Sequence, residues 1–326
     1  MKKSKPIAVV ISDLHFNIPN LELSTKALQK AIIEAKKLDV PLIIAGDLHD
    51  TKAIIRAEVA NRLLQLLDGS VQTYIIVGNH DRINEKAGAH GLNYLRDVAY
   101  IVEEPTDVGD MTLLPYYHDT DALRRDLAKI ENDILIMHQG VKGAFMGDYI
   151  QDKSSIDPEE LVNFTVISGH YHKHQTVGTV TYIGSPFTMT FGEANDGPKG
   201  FLVLNSDGSF ERRILNLRKH VIVEKTLDNA TTPIGVLNPD DLLWVKLRGP
   251  ASELKKFKKS ELGRVYLGHS NFNFKLDLIA TDSAEVDIKS DIMTDEEILD
   301  SIINSLGETK KHIQELKELW REIIDG

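Results

Sequence analysis

Cysteine is absent from all 326 residues. Its absence excludes disulfides, thiolate catalysis, cysteine-type zinc fingers and iron–sulfur clusters, and a reducing compartment is the simplest reading. Long apolar runs are also missing. No segment approaches the roughly 18 uninterrupted apolar residues of a membrane-spanning helix. The opening MKKSKPIAVVISDLHF has a basic start, but its apolar run stops at Asp13 without a small-residue cleavage site, so no signal peptide is expected. Repeats and low-complexity segments are lacking too. Positive charge is in deficit: 38 Lys+Arg stand against 49 Asp+Glu, a formal net charge of −11. That balance argues against a nucleic-acid binder driven by charge alone, but not against an enzyme that grips phosphates through metal ions. A soluble cytoplasmic protein is the expectation, its 42% hydrophobic content being ordinary for a globular chain.

What is present begins as a β–α alternation. Ile7–Ile11, Pro41–Ala45 and Tyr74–Val77 are short apolar runs that read as strands. Between them, Leu28, Ala31, Ile32, Ala35 and Leu38 keep helical spacing within 21–38, and Ile54, Ile55, Val59, Leu63, Leu64 and Leu67 do so in the next interval. Further runs follow at Ile134–Met137, Phe164–Ile167 and Thr181–Ile183. Continuous apolar strands alternating with amphipathic helices indicate a layered α/β sheet. After residue 210 or so the alternation fades. Residues 212–264 hold 12 Lys+Arg against 6 Asp+Glu, a net of +6, which leaves −17 on the remainder. In the tail, Thr294 with Glu297 forms a capping-box pattern. Ile298, Ile302, Leu306, Ile313, Leu316, Trp320 and Ile323 form an apolar stripe interrupted by Gly307.

Polar chemistry gathers where the runs end. Asp13-Leu14-His15, Gly46-Asp47-Leu48-His49-Asp50, Gly78-Asn79-His80-Asp81, His138, and Gly169-His170-Tyr171-His172 each follow an apolar run. Ligand sites of α/β sheets lie outside the carboxyl ends of the strands, so these loops are expected to converge. Imidazole nitrogens with carboxylate and amide oxygens suit divalent cations of the Mn, Fe, Zn or Mg kind, without soft sulfur. A two-metal site needs one carboxylate to bridge ions about 3.5–4 Å apart. The glycines before Asp47, Asn79 and His170 are expected to let the backbone turn sharply. Any one cluster has a bland alternative as a turn former or surface histidine. His49, His90, His118, His174, His220, His269 and His312 keep that bland reading.

DxH, GDxxD, GNHD, a lone His after a strand, and GHxH, in that order over the first 200 residues or so, resemble the calcineurin-like metallophosphoesterases. The resemblance implies a layered β-sandwich flanked by helices. It places Asp13, His15, Asp47 and His172 on one metal, and Asp47, Asn79, His138 and His170 on a second, with Asp47 bridging. His80 would face the phosphate without binding metal, and Asp81 would orient it and favour its protonated form. Mn²⁺ is the metal implied. Downstream, Tyr182-Ile183-Gly184-Ser185-Pro186, Phe191-Gly192-Glu193 and Lys199-Gly200-Phe201 resemble the SbcD-type nuclease subunits that work with an SbcC-like coiled-coil ATPase, and the short chain is most like their phage members. That branch implies a nuclease domain at 1–210, a small α+β DNA-contacting cap at 211–288 and C-terminal helices at 289–326 that bind the ATPase. It also implies homodimerisation and exonuclease or endonuclease action on DNA in recombination, repair and replication. Lys255, Lys256, Lys258 and Lys259 are candidate phosphate contacts. Three positions depart from the branch: His49 replaces an aromatic residue, and Phe16-Asn17 replace Leu-Gly. A phosphomonoesterase or cyclic-nucleotide phosphodiesterase on the same scaffold is the alternative; a metal-free binding scaffold is a third reading, disfavoured by the complete ligand set.

Overall fold

A computed structural model describes residues 4–281 apart from 53, 85–88, 148–149, 154, 231–236, 239 and 269–273. The tail expected at 289–326 lies outside the described residues. Two six-stranded sheets form the body. The first runs in the order β12 (Phe210–Ile214), β11 (Gly200–Asn205), β1 (Pro6–Ile11), β2 (Leu42–Ile44), β3 (Thr73–Ile76), β4 (Tyr100–Val102). The second runs β5 (Thr106–Val108), β6 (Met111–Leu114), β7 (Ile134–Met137), β8 (Thr165–Ser168), β10 (Val180–Tyr182), β9 (Gln175–Val177). Strands β1–β4 are mutually parallel, as are β6, β7, β8 and β10. The antiparallel pairings fall toward the margins.

Alternation along each strand builds three apolar layers. Ala8, Val10, Ile43 and Ile76 of the first sheet pack between the sheets against Met111, Leu113, Ile134, Ile136 and Ile167 of the second. Val9, Ile11, Leu42, Ile44 and Ile75 point the other way, onto helices α1 (Leu21–Leu38) and α2 (Ala57–Leu66). Leu135, Met137 and Val166 pack outward with Leu123 and Leu127 of α3 (Thr120–Leu127). Strands buried on both faces explain the unbroken apolar runs. The layered α/β expectation holds: this is a β-sandwich flanked by helices.

Helix α1 ends at Asp39, which adopts the left-handed conformation and donates its backbone N–H into the last turn, just before Pro41 closes off further helix. Helix α2 starts later than its apolar period suggests. Ile54 is 69% exposed and Leu64 is 40% exposed, while only Val59 and Leu63 are buried within the helix. A third sheet, β13 (His220–Thr226), β14 (Leu242–Gly249) and β15 (Phe274–Ala280), is wholly parallel. Helix α4 (Ala251–Lys259) packs on it through Leu254 and Phe257, and α5 (Glu261–Gly268) follows. Lys255, Lys256, Lys258 and Lys259 lie on the exposed side of α4. No helix among the described residues is long and apolar enough to cross a membrane.

Candidate metal centre

The carboxyl ends of β1, β2, β3, β7 and β8 open on one place. Beyond the strands, the β1 and β2 chains continue side by side: Asp13 N donates to Gly46 O (3.2 Å), His15 N to Asp47 O (3.1 Å) and Phe16 N to Leu48 O (2.8 Å). This pairing sets the DxH and GDxxD segments in register. The second sheet joins through Asp13, whose carboxylate accepts the His170 N–H at 3.1 Å.

The backbone is forced at this seam. Among the described residues, Asp13, His15, Asp47 and His170 are four of the five non-glycine residues with positive φ, the fifth being Asp39 that caps α1. Such conformations cost about 1–3 kcal/mol each and persist only where surrounding structure over-determines them, commonly at functional sites. The glycines divide into two kinds. Gly46 is left-handed (φ +87), and a Cβ there would lie 2.2 Å from His138 Nδ1. Gly78 has no positive φ; its missing side chain instead makes room for Asp47, 2.2 Å from where a Cβ would stand. Gly46→Ala is therefore expected to destabilise the metal-free protein by about 2–5 kcal/mol, combining left-handed strain with overpacking. Denaturant unfolding measures this, and wild-type stability would show that the seam can relax.

Donor atoms converge closely at this seam. His138 Nδ1 lies 2.8 Å from the Ala45 carbonyl, which only accepts, so Nδ1 carries hydrogen. Its Nε2 lies 3.2 Å from Asp47 Oδ2 and 3.0 Å from Asn79 Oδ1. His170 Nδ1 is 2.9 Å from the same Asn79 oxygen. On the other side, His15 Nε2 and His172 Nε2 face each other at 3.1 Å, with His15 Nε2 at 3.9 Å from Asp47 Oδ2. His172 Nδ1 sits 3.1 Å from Glu193 Oε1, so its Nε2 is the open nitrogen. Asp47 Oδ2 thus stands between two groups of nitrogen and oxygen donors. Asp13, His15 and His172 on one side, and Asp13, Asp47 and His138 on the other, each offer ligand atoms within 4.8 Å of one another.

Electrostatics agree with a cation-hungry site. Burial raises the Asp47 pKa, but His138, His15 and His80 outweigh it and hold the carboxyl well below its ordinary range. Burial disfavours charge on His138, yet Asp47 and Asp13 lift it to about 9. Burial and the neighbouring His138 press His170 down to about 4. Burial likewise opposes charge on His15, while Asp50, Asp47 and Asp13 raise its pKa. Without metal, protons on imidazole stand in for positive charge next to buried carboxylates. The donor set fits a pair of hard or borderline divalent cations.

Asp13, His15, Asp47, Asn79, His80, His138, His170 and His172 are all brought to this place. Asp81 is not placed as expected. Its carboxylate accepts backbone N–H groups from His49 (3.0 Å), Gly78 (3.0 Å) and Leu48 (3.4 Å), and lies 3.4 Å from His49 Nδ1. It therefore ties the second and third loops together under the site. His80 is oriented instead by the Asp50 carbonyl, 2.8 Å from Nδ1, while its own N–H bonds Asp47 Oδ1 at 2.9 Å. Asp50, missed as a site residue, also sets Oδ1 3.4 Å from His15 Nδ1; its only signal was the last Asp of GDLHD. Glu193, also missed, lay in the downstream FGE string. His49 takes a buried structural role with Tyr94 (2.9 Å), and His174 bonds the Tyr182 carbonyl away from the site.

A cleft of about 810 Å³ adjoins the centre, lined by His170, His172, Phe191, Glu193, Trp244 and Lys246. It lies between the body and the third sheet.

Over 198 residues the chain is 27% identical to "Exonuclease subunit 1" of Enterobacteria phage T4; the match covers 55% of this chain and 57% of that relative, so it spans little more than half the relative's length. A solved structure, that of Pseudomonas putida nuclease MPE, aligns over 52% of this chain and 64% of its own at 15% identity with a TM-score of 0.29. The family model described as calcineurin-like phosphoesterase matches residues 8–174, from the first buried strand through the last histidine cluster, and the chain belongs to that family.

Proposed function

We propose that the chain is the nuclease subunit of a DNA-processing complex, a two-metal phosphodiesterase that uses Mn²⁺. The observation that carries this is Asp47 Oδ2, set between two imidazole-rich donor groups at 3.2 Å and 3.9 Å. Asp13, His15, Asp47 and His172 would hold one ion, and Asp47, Asn79, His138 and His170 the other. When bound, the ions supply a low-pKa water and charge stabilisation at the phosphoryl oxygens. The chain's own part is positional. Buried carbonyl and carboxylate partners fix the ligand rings, and His80 Nδ1, pinned on the Asp50 carbonyl, leaves Nε2 free to handle a proton at the leaving oxygen.

A DNA strand as substrate is supported by the relative named an exonuclease subunit. The open cleft, walled by Trp244 and Lys246 of β14, and the exposed lysines of α4 support it as well. On this reading 1–210 is the nuclease domain, 211–288 the cap, and 289–326 the segment that binds an SbcC-like coiled-coil ATPase. A homodimer working in the cytoplasm, in the host cell for a phage protein, completes the proposal. The test is Mn²⁺-dependent cleavage of end-labelled duplex DNA, with and without the ATPase. Degradation stimulated by the partner supports the proposal. Intact DNA beside rapid hydrolysis of small phosphomonoesters overturns it in favour of a phosphomonoesterase.

A further inference from the structure

Glu193, the carboxylate behind the His172 ring, forms a buried pair with Lys199. Both residues are under 9% exposed. Glu193 Oε1 meets His172 Nδ1 at 3.1 Å, while Oε2 accepts from Met189 N and from Lys199 Nζ, each at 3.1 Å. Lys199 Nζ also donates to Asp196 Oδ2 (2.7 Å), Ser185 Oγ (3.1 Å) and the backbone carbonyl of His172 (2.7 Å). One ammonium therefore grips the His172 main chain and also the carboxylate that holds the His172 ring. The residue is clamped at both ends, and its ring can turn neither its plane nor its tautomer freely.

The clamp has a chemical consequence. A carboxylate at Nδ1 keeps hydrogen there and leaves the Nε2 lone pair facing His15 and Asp47. Carboxylates behind metal-bound imidazoles fix ring orientation and raise ligand basicity. A buried lysine–carboxylate pair kept only for stability is weak economy, since well-packed apolar residues often do as well. Here the pair is built around a single residue, His172, and it draws on Ser185, Glu193 and Lys199 of the GSP, FGE and KG string.

We propose that Glu193, held by Lys199, is the positioning residue that presents His172 Nε2 to the first metal ion. This rests on the two-metal reading above. The experiment is Mn²⁺ titration calorimetry on the full chain and on Glu193→Gln, paired with long-range proton–nitrogen NMR of the histidine rings in the metal-free protein. In wild type, His172 should carry its hydrogen on Nδ1. In the variant the tautomer should become mixed, and one of the two binding events should weaken about 10–100-fold while the other stays near wild type. Two unchanged binding events overturn the proposal, as does a wild-type His172 protonated on Nε2. The NMR on wild type decides the matter even if the variant does not fold. If wild type binds no Mn²⁺, the two-metal reading fails, while the tautomer still reports on Glu193.

Discussion

On the proposed two-metal reading, Asp47→Asn is expected to bring metal content from two Mn²⁺ per chain to nearly none, and to cut phosphodiester cleavage by about 10³-fold or more. The magnitude follows from losing charge stabilisation worth several kcal/mol, at about 1.4 kcal/mol per tenfold. Asparagine keeps the size, and its Oδ1 can still accept the His80 N–H now held at 2.9 Å. It loses the anionic oxygen that stands between His138 and His15. The sign on the proton side is also determined. Burial opposes charge on His138 and Asp47 is the main influence raising its pKa, so the variant should release the His138 proton at lower pH than wild type. Metal content by mass spectrometry of the native protein and single-turnover cleavage measure the two losses. A variant that retains both ions and wild-type rate would sink the bridging role.

The candidate metal ligands are legible as a group because each sits where an unbroken apolar run stops, and such runs are forced by strands buried on both faces. The second layer was not readable, because it is assembled by tertiary contact. Glu193 lies 21 residues beyond His172 and reaches it only after β9 and β10 bring the chain back. Asp81 misled for the opposite reason. Adjacency suggested that it orients His80, but the turn at 79–81 directs the two side chains apart, and Asp81 drops inward to collect three backbone N–H groups. Strands β4 and β5 show no pattern in the sequence. Tyr100–Val102 and Thr106–Val108 are three residues long and partly exposed, too short to show a period. The +6 segment was legible as a change of character, yet neither its parallel three-stranded sheet nor the placing of Trp244 beside His170 and His172 followed from charge.

His80→Ala is expected to separate metal binding from chemistry. The side chain flanks the centre, grouped with His15 and Asp50, its ring centroid 4.8 Å from that of His15 and Nδ1 committed to the Asp50 carbonyl. On the proposed two-metal nuclease reading, removing it should leave two Mn²⁺ per chain while cleavage of DNA falls by about 10²–10⁴-fold, the usual worth of a positioned proton donor. The loss should depend on the leaving group. An alkoxide expelled from DNA needs a proton as the bond breaks, whereas a nitrophenolate leaves as a stable anion. With a bis-nitrophenyl phosphodiester the same substitution should therefore cost much less than with DNA. Asp50 offers an internal check: its carbonyl does the orienting, so Asp50→Ala keeps the His80 contact and should spare that leaving-group pattern. Equal losses on both substrates would show that His80 binds the phosphate in ground and transition states alike, and is not the acid.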